Sequence, residues 1–75
     1  MAGDKINRIK LSEDFGWICQ LCFTSIHPNR KFPDNLSSTV DHIIPLSRGG
    51  EHIFSNVQPA HLKCNIEKGN KFATG

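Results

Sequence analysis

The chain has 75 residues, 37% of them hydrophobic, and a formal net charge of +2. A chain this short makes one domain at most and needs a staple to be stable: a disulfide, a metal or a partner. Its polar first ten residues do not read as a secretory signal, and no stretch is long and apolar enough for a membrane span.

Met1 to Lys10 reads as a flexible arm, which leaves residues 11–75 as a single folded domain. Ser12, followed by Glu13 and Asp14, reads as the N-cap of a short helix with acids in its first turn, ended by Gly16. Trp17 and Ile18 put apolar bulk beside Cys19-Gln20-Leu21-Cys22, a candidate metal knuckle. Ser25 to Ser38 is rich in turn residues and reads as a surface loop, with Phe32 and Leu36 expected to pin it down. Thr39 to Ile44 is rich in β-branched residues and reads as a strand that Pro45 stops. Ser47 to Glu51 is a glycine-bearing excursion, and a second strand is expected around Asn56-Val57-Gln58. Pro59 suits the first turn of a helix and Gly69 the position past its end, so the helix is expected over Pro59 to Lys68. The order is two short antiparallel strands with a long loop between them, then one helix. That is an α+β class: a small zinc-stabilised domain with a ββα unit and a zinc knuckle packed against it.

The staple is read from the cysteines. Cys19, Cys22 and Cys64 cannot all pair with one another, and with His61 they make a Cys3His set, a common structural zinc arrangement. Both pairs, Cys19/Cys22 and His61/Cys64, have knuckle spacing, and residues i and i+3 of a helix share a face. A disulfide would leave one thiol over. For His61, the alternative is an ordinary polar helix residue. Metal-bound thiolates in place of disulfides suggest an intracellular, cytoplasmic protein.

A second group has the chemistry of a reaction. Asp41 offers a carboxylate suited to Mg²⁺, and His42 an imidazole that is neutral near pH 7 and suited to activating water. Adjacent strand residues point to opposite faces, so joint service requires a distorted strand end. The alternative is a strand-end carboxylate beside a surface histidine. Asn65 is a poor residue for mid-helix, and its amide oxygen suits a hard metal; alternatively it caps a helix that starts later. Asn56 could hold the loop by hydrogen bonds and so aim His42, or be a plain turn asparagine. His27 and His52 read as exposed loop histidines, with His52 the better candidate for a substrate contact. Arg48, Lys63, Lys68 and Lys71 are candidate contacts to a polyanion such as nucleic acid, the alternative being a solvated, charged face.

Taken together, Cys-Gln-Leu-Cys, Asp-His-Ile-Ile-Pro-Leu-Ser-Arg-Gly-Gly, Asn-Val-Gln-Pro-Ala-His and Cys-Asn-Ile-Glu-Lys-Gly-Asn-Lys resemble the HNH endonucleases of the ββα-metal nuclease group, from about Trp17 to Lys71. The resemblance implies a DNA phosphodiester hydrolase. It assigns the general base to His42, a catalytic Mg²⁺ or Mn²⁺ to Asp41 and Asn65, and an orienting role to Asn56. The last motif residue is Asn65 and not histidine, so this is an H-N-N form, which favours hard ions. The family's usual second C-x-x-C is here His61-x-x-Cys64. Small HNH proteins are typical of phages and restriction systems. The expected partner is therefore DNA, cut as a nick or through both strands, with a homodimer or a packaging or restriction complex open as the assembly. Two other functions stay open: a non-catalytic, zinc-stabilised nucleic-acid-binding or adaptor module, and a purely structural knuckle in a larger assembly.

Overall fold

The computed structural model describes residues 3–69. Among them the order is α1 (Arg8–Asp14), β1 (Ser38–His42), two 3-10 turns (Leu46–Arg48 and Phe54–Asn56), β2 (Val57–His61) and α2 (Leu62–Lys68). None of these helices is long and apolar enough to cross a membrane. The α+β class and the ββα order stand as expected, with α1 as an additional helix ahead of the unit.

Helix α1 starts earlier than the sequence suggests, inside the stretch read as an arm. Asn7 is its N-cap, with Oδ1 accepting from the backbone N–H of Ile9 and Lys10 at 2.9 and 3.0 Å. Ser12 does not cap. It is fully buried on the inner face of the helix, where its hydroxyl donates to Arg8 O at 2.9 Å and meets the Ser38 hydroxyl of β1. Two acids after a serine imitate a cap here, while the true cap is followed by basic and apolar residues.

After Gly16, which takes φ +67°, the chain forms a tight ribbon. Ile18 bridges Ser25, Cys19 N–H donates to Thr24 O at 2.9 Å and Phe23 N–H to Cys19 O at 2.8 Å. This ribbon carries Cys19 and Cys22. The loop that follows is not pinned by Phe32, which is 76% exposed, or by Leu36, which also faces solvent. Asp34 holds it instead, accepting from Leu36 N–H and from the Arg30 guanidinium, both at 2.8 Å. A short carboxylate side chain in a turn closes local bonds that an apolar side chain cannot.

Strands β1 and β2 pair antiparallel, with Ser38 opposite His61, Asp41 opposite Gln58 and His42 opposite Val57. Pro59 does not open the helix: it lies buried within β2, opposite Val40. Its carbonyl faces away from β1 and accepts from Gln20 N–H of the knuckle ribbon at 3.0 Å. In a two-stranded sheet each strand has a free edge, which is where a residue without an N–H is tolerated. Helix α2 therefore begins at Leu62, with His61 as an N-cap whose side chain makes no capping bond. Loop carbonyls cap the helix instead. Leu62 N–H donates to Ser37 O and Lys63 N–H to Asn35 O, both at 2.9 Å. At the other end, Gly69 takes φ +58° and donates its N–H to Asn65 O, as the sequence suggests for a residue past a helix end.

The apolar core is small. Cys19, Ile26, Ala60 and Cys64 form a buried cluster with Trp17 and Leu21 packed against it. Two of the four are metal-ligand candidates, so the core and the staple are one structure.

Candidate functional site

The zinc candidates converge. The ligand atoms of Cys19, Cys22, His61 and Cys64 all lie within 4.8 Å of one another. Cys22 Sγ is 3.4 Å from His61 Nδ1, and Cys64 Sγ is 3.9 Å from it. His61 Nε2 faces Ser25 O at 3.1 Å, so a proton on Nε2 leaves Nδ1 for the ion, the arrangement that ordinarily orients a metal-ligating histidine. The thiols differ in character. The Thr24 hydroxyl at 3.0 Å from Cys22 Sγ lowers that thiol's pKa to about 6, whereas burial pushes Cys64 up to about 12. Three sulfurs and one imidazole at this spread suit zinc in a closed tetrahedral site.

The second group meets at the end of β1. Asp41, His42, Asn65 and Lys68 line one cavity of about 210 Å³ together with Leu46 and Ser47. Asp41 and His42 alternate along the strand, yet both reach the cavity because β1 ends at His42 and the chain turns away there.

Asp41 is 2% exposed and both of its oxygens are engaged. Oδ1 is 3.0 Å from Lys68 Nζ, and Oδ2 accepts from Gln58 Nε2 at 2.9 Å. Lys68 also donates to His42 O at 2.7 Å. Lys68 is thus not part of an open basic face: its side chain is 6% exposed and lies within the site. Asn65 donates its amide to Thr39 Oγ1 at 3.0 Å and to Val40 O at 3.3 Å. With Nδ2 held by β1, the amide oxygen is the ligand atom that remains.

His42 Nε2 lies 2.9 Å from His52 Nδ1. Burial lowers the His42 pKa below its ordinary value, His52 and Lys68 lower it further, and Asp41 opposes them. The balance favours the neutral ring.

Asn56 is outside the cavity but braces it. Its Oδ1 accepts from Ile44 N–H at 2.9 Å, and its Nδ2 donates to Ile44 O at 3.0 Å and Glu51 O at 2.8 Å. Its own carbonyl accepts from Ile43 N–H at 2.9 Å. The chain just after His42 is stapled to the start of β2 in this way. Gly50 makes the staple possible: a Cβ there would stand 1.7 Å from Ile44 O.

Arg48 ends the first 3-10 turn and Lys63 lies on α2, both at exposed positions. Lys71 lies outside the described residues. Sequence reasoning missed Gln58 and the pairing of His52 with His42. Gln58 gives itself away only once the strand register sets it opposite Asp41.

As to a divalent ion, a carboxylate and an amide border the same cavity, and an ammonium already stands on that carboxylate. The site's charge logic is that of a carboxylate that takes a cation, and its oxygen donors fit Mg²⁺ or Mn²⁺ provided Lys68 yields Oδ1.

A family model described as HNH endonuclease matches residues 19–71, most of the chain and all of both groups. No curated protein and no solved structure matches.

Proposed function

The chain belongs to the HNH endonuclease family, and from that premise we propose that it is a metal-dependent endonuclease hydrolysing DNA phosphodiester bonds. The observation that carries the reading is the meeting of a buried carboxylate, an imidazole and an amide on one cavity. His42 takes a proton from a water as that water attacks phosphorus and the bond to the 3′ oxygen breaks; the 3′ oxygen takes a proton from solvent, and the imidazole returns its own to solvent. Asp41 and Asn65 would hold a divalent cation, which would supply positive charge to the phosphate under attack. Gln58 fixes the carboxylate, Asn56 holds the backbone behind His42, and Lys68 anchors the His42 carbonyl and stands on Asp41 Oδ1 until a cation takes its place. Arg48 and Lys63, at exposed positions, meet phosphates, and Lys71 is a further candidate by its charge. One cavity cuts one strand, so the monomer is a nickase. A homodimer, alone or within a packaging or restriction complex, is the form that would cut both. Three unpaired thiols suit a reducing cytoplasm.

The test is nicking of supercoiled plasmid by zinc-loaded protein across a panel of divalent ions, with His42→Ala alongside. Mg²⁺ or Mn²⁺ should support nicking, and the variant should lose it while keeping its zinc and fold. Cleavage by His42→Ala at the wild-type rate would remove the base assignment.

One observation favours a second reading. Both Asp41 oxygens are satisfied from within the protein, as in a purely structural ion pair. A non-catalytic, zinc-stabilised nucleic-acid-binding or adaptor module needs nothing more. Salt-sensitive DNA binding, indifferent to His42→Ala and without nicking under any ion, would select it.

A further inference from the structure

We infer that His52 is a positioning residue for His42, accepting a hydrogen bond from His42 Nε2–H and so leaving His42 Nδ1 with a free lone pair. The inference rests on the nuclease reading above and deepens it.

The geometry leaves two arrangements. His42 Nε2 and His52 Nδ1 are 2.9 Å apart, with ring centroids at 5.1 Å and planes tilted by 46°. Two neutral rings at this distance share one proton between the facing nitrogens, and each imidazole carries one N–H. If His52 donated, His42 would spend its Nε2 lone pair on the bond and carry its proton on Nδ1. No basic nitrogen would then remain. If His42 donates, Nδ1 keeps its lone pair. Only the second arrangement gives a ring that can act as a base.

The backbone on both sides of this contact is held. Lys68 fixes the His42 carbonyl, and pairing with Val57 fixes the end of β1. What remains free in His42 is rotation of the ring about its two side-chain torsions, and the bond to His52 removes it. His52 in turn is tied to the N-terminal segment. Its carbonyl accepts from Asp4 N–H at 2.8 Å, and Asp4 Oδ2 accepts from Phe54 N–H at 2.9 Å. Gly3 packs so closely that a Cβ there would stand 2.6 Å from His52 O. Residues 3 and 4 thus strap the loop that presents the second ring. His52 is itself exposed and makes no part of the core, so replacing its side chain leaves the fold alone.

The experiment compares wild type, His52→Phe and His52→Asn, all zinc-loaded. Phenylalanine keeps the ring and drops the acceptor, while asparagine puts an amide oxygen close to where Nδ1 was. Plasmid nicking gives kcat and KM separately. ¹⁵N shifts of the His42 ring, read without DNA at mildly alkaline pH, give its tautomer. The expected result is a kcat lower by roughly 10–100-fold in His52→Phe, the range for an orienting partner, with KM unchanged and with most of the rate restored in His52→Asn. In wild type and His52→Asn the proton should sit on Nε2 of His42, while His52→Phe should show a mixture of tautomers. A His42 proton on Nδ1 in wild type overturns the inference, as does wild-type kcat in His52→Phe. A raised KM with kcat intact also overturns it, since His52 would then be a DNA contact. A wild type inert with every ion ends the nuclease reading and with it the catalytic role of His52. That failure is distinct, because the ¹⁵N shifts still report whether His42 donates to His52.

Discussion

Replacing Lys68 by methionine removes the ammonium from a carboxylate that is almost fully buried. Methionine keeps the length of the stem, so packing changes little and the missing charge dominates. Removing one partner of a buried pair costs about 3–5 kcal/mol, because the other charge stays behind uncompensated. Gln58 still holds Oδ2 at 2.9 Å, which puts the expected cost at the low end, about 3 kcal/mol. For a domain of this size, ~1 kcal/mol moves the melting temperature by roughly 4–8 °C, so Lys68→Met should melt about 12–24 °C below wild type. Thermal unfolding followed by circular dichroism, with zinc content measured in parallel, reads this directly. Two additions isolate the cause. Adding Asp41→Asn to Lys68→Met should recover most of the loss, since a neutral amide needs no counter-charge. Mn²⁺ should raise the melting temperature of Lys68→Met more than that of wild type, because nothing competes for Asp41 Oδ1 and a ligand of the native state stabilises by mass action. A Lys68→Met that melts within about 2 °C of wild type, under ~0.5 kcal/mol, would refute the account.

Stripping the zinc with a strong chelator should unfold the chain outright. Structural zinc contributes about 10–16 kcal/mol to such sites at neutral pH, as much as the whole stability of a small domain; retention of native circular dichroism in metal-free protein would count against this. Zinc uptake must also displace the Cys64 proton, held up at about 12, so affinity should fall as pH falls, as measured by competition with a chromophoric chelator. Gly50→Ala drives a methyl into Ile44 O and should lower the melting temperature and the nicking rate together, because the staple behind His42 must shift; an unchanged melt would show that the turn yields freely. Asn7→Ala should cost about 1 kcal/mol by urea unfolding, in keeping with the loss of an N-cap that takes two backbone N–H groups.

These residues differ in how far the sequence reveals them. The zinc group is legible because sulfur and imidazole at knuckle spacing have few other uses, and a short chain needs a staple. Asn56 is legible as a loop holder, though not the number of its bonds. The start of α2 is not, because Pro59 fits a helix's first turn as well as a sheet's free edge. Only the packing of β2 under the knuckle ribbon decides between them. Ser12 misleads in the same manner: a hydroxyl before two acids caps one helix and lies buried within another. Lys68 reads as a phosphate contact, or else a solvated lysine in a last turn, because nothing local announces the carboxylate on β1 that it reaches. His52 and Gln58 are hidden for that reason too. Their partners lie across a loop or a strand register, and a linear pattern carries no distances.

Cys64 and Asn65 are consecutive residues of one short helix, the first turned to the sulfur clamp and the second to the cavity. Each residue of an α-helix advances about 100° around the axis. A single residue inserted between these two would rotate Asn65 and Lys68 by that angle and swing Lys68 off Asp41 and Asn65 off Thr39 and Val40, while every zinc ligand stayed where it is. The zinc clamp would persist while the cavity beside β1 lost its amide and its ammonium, with Asp41 left uncompensated. An indel in this peptide would therefore separate the two groups that the short helix joins.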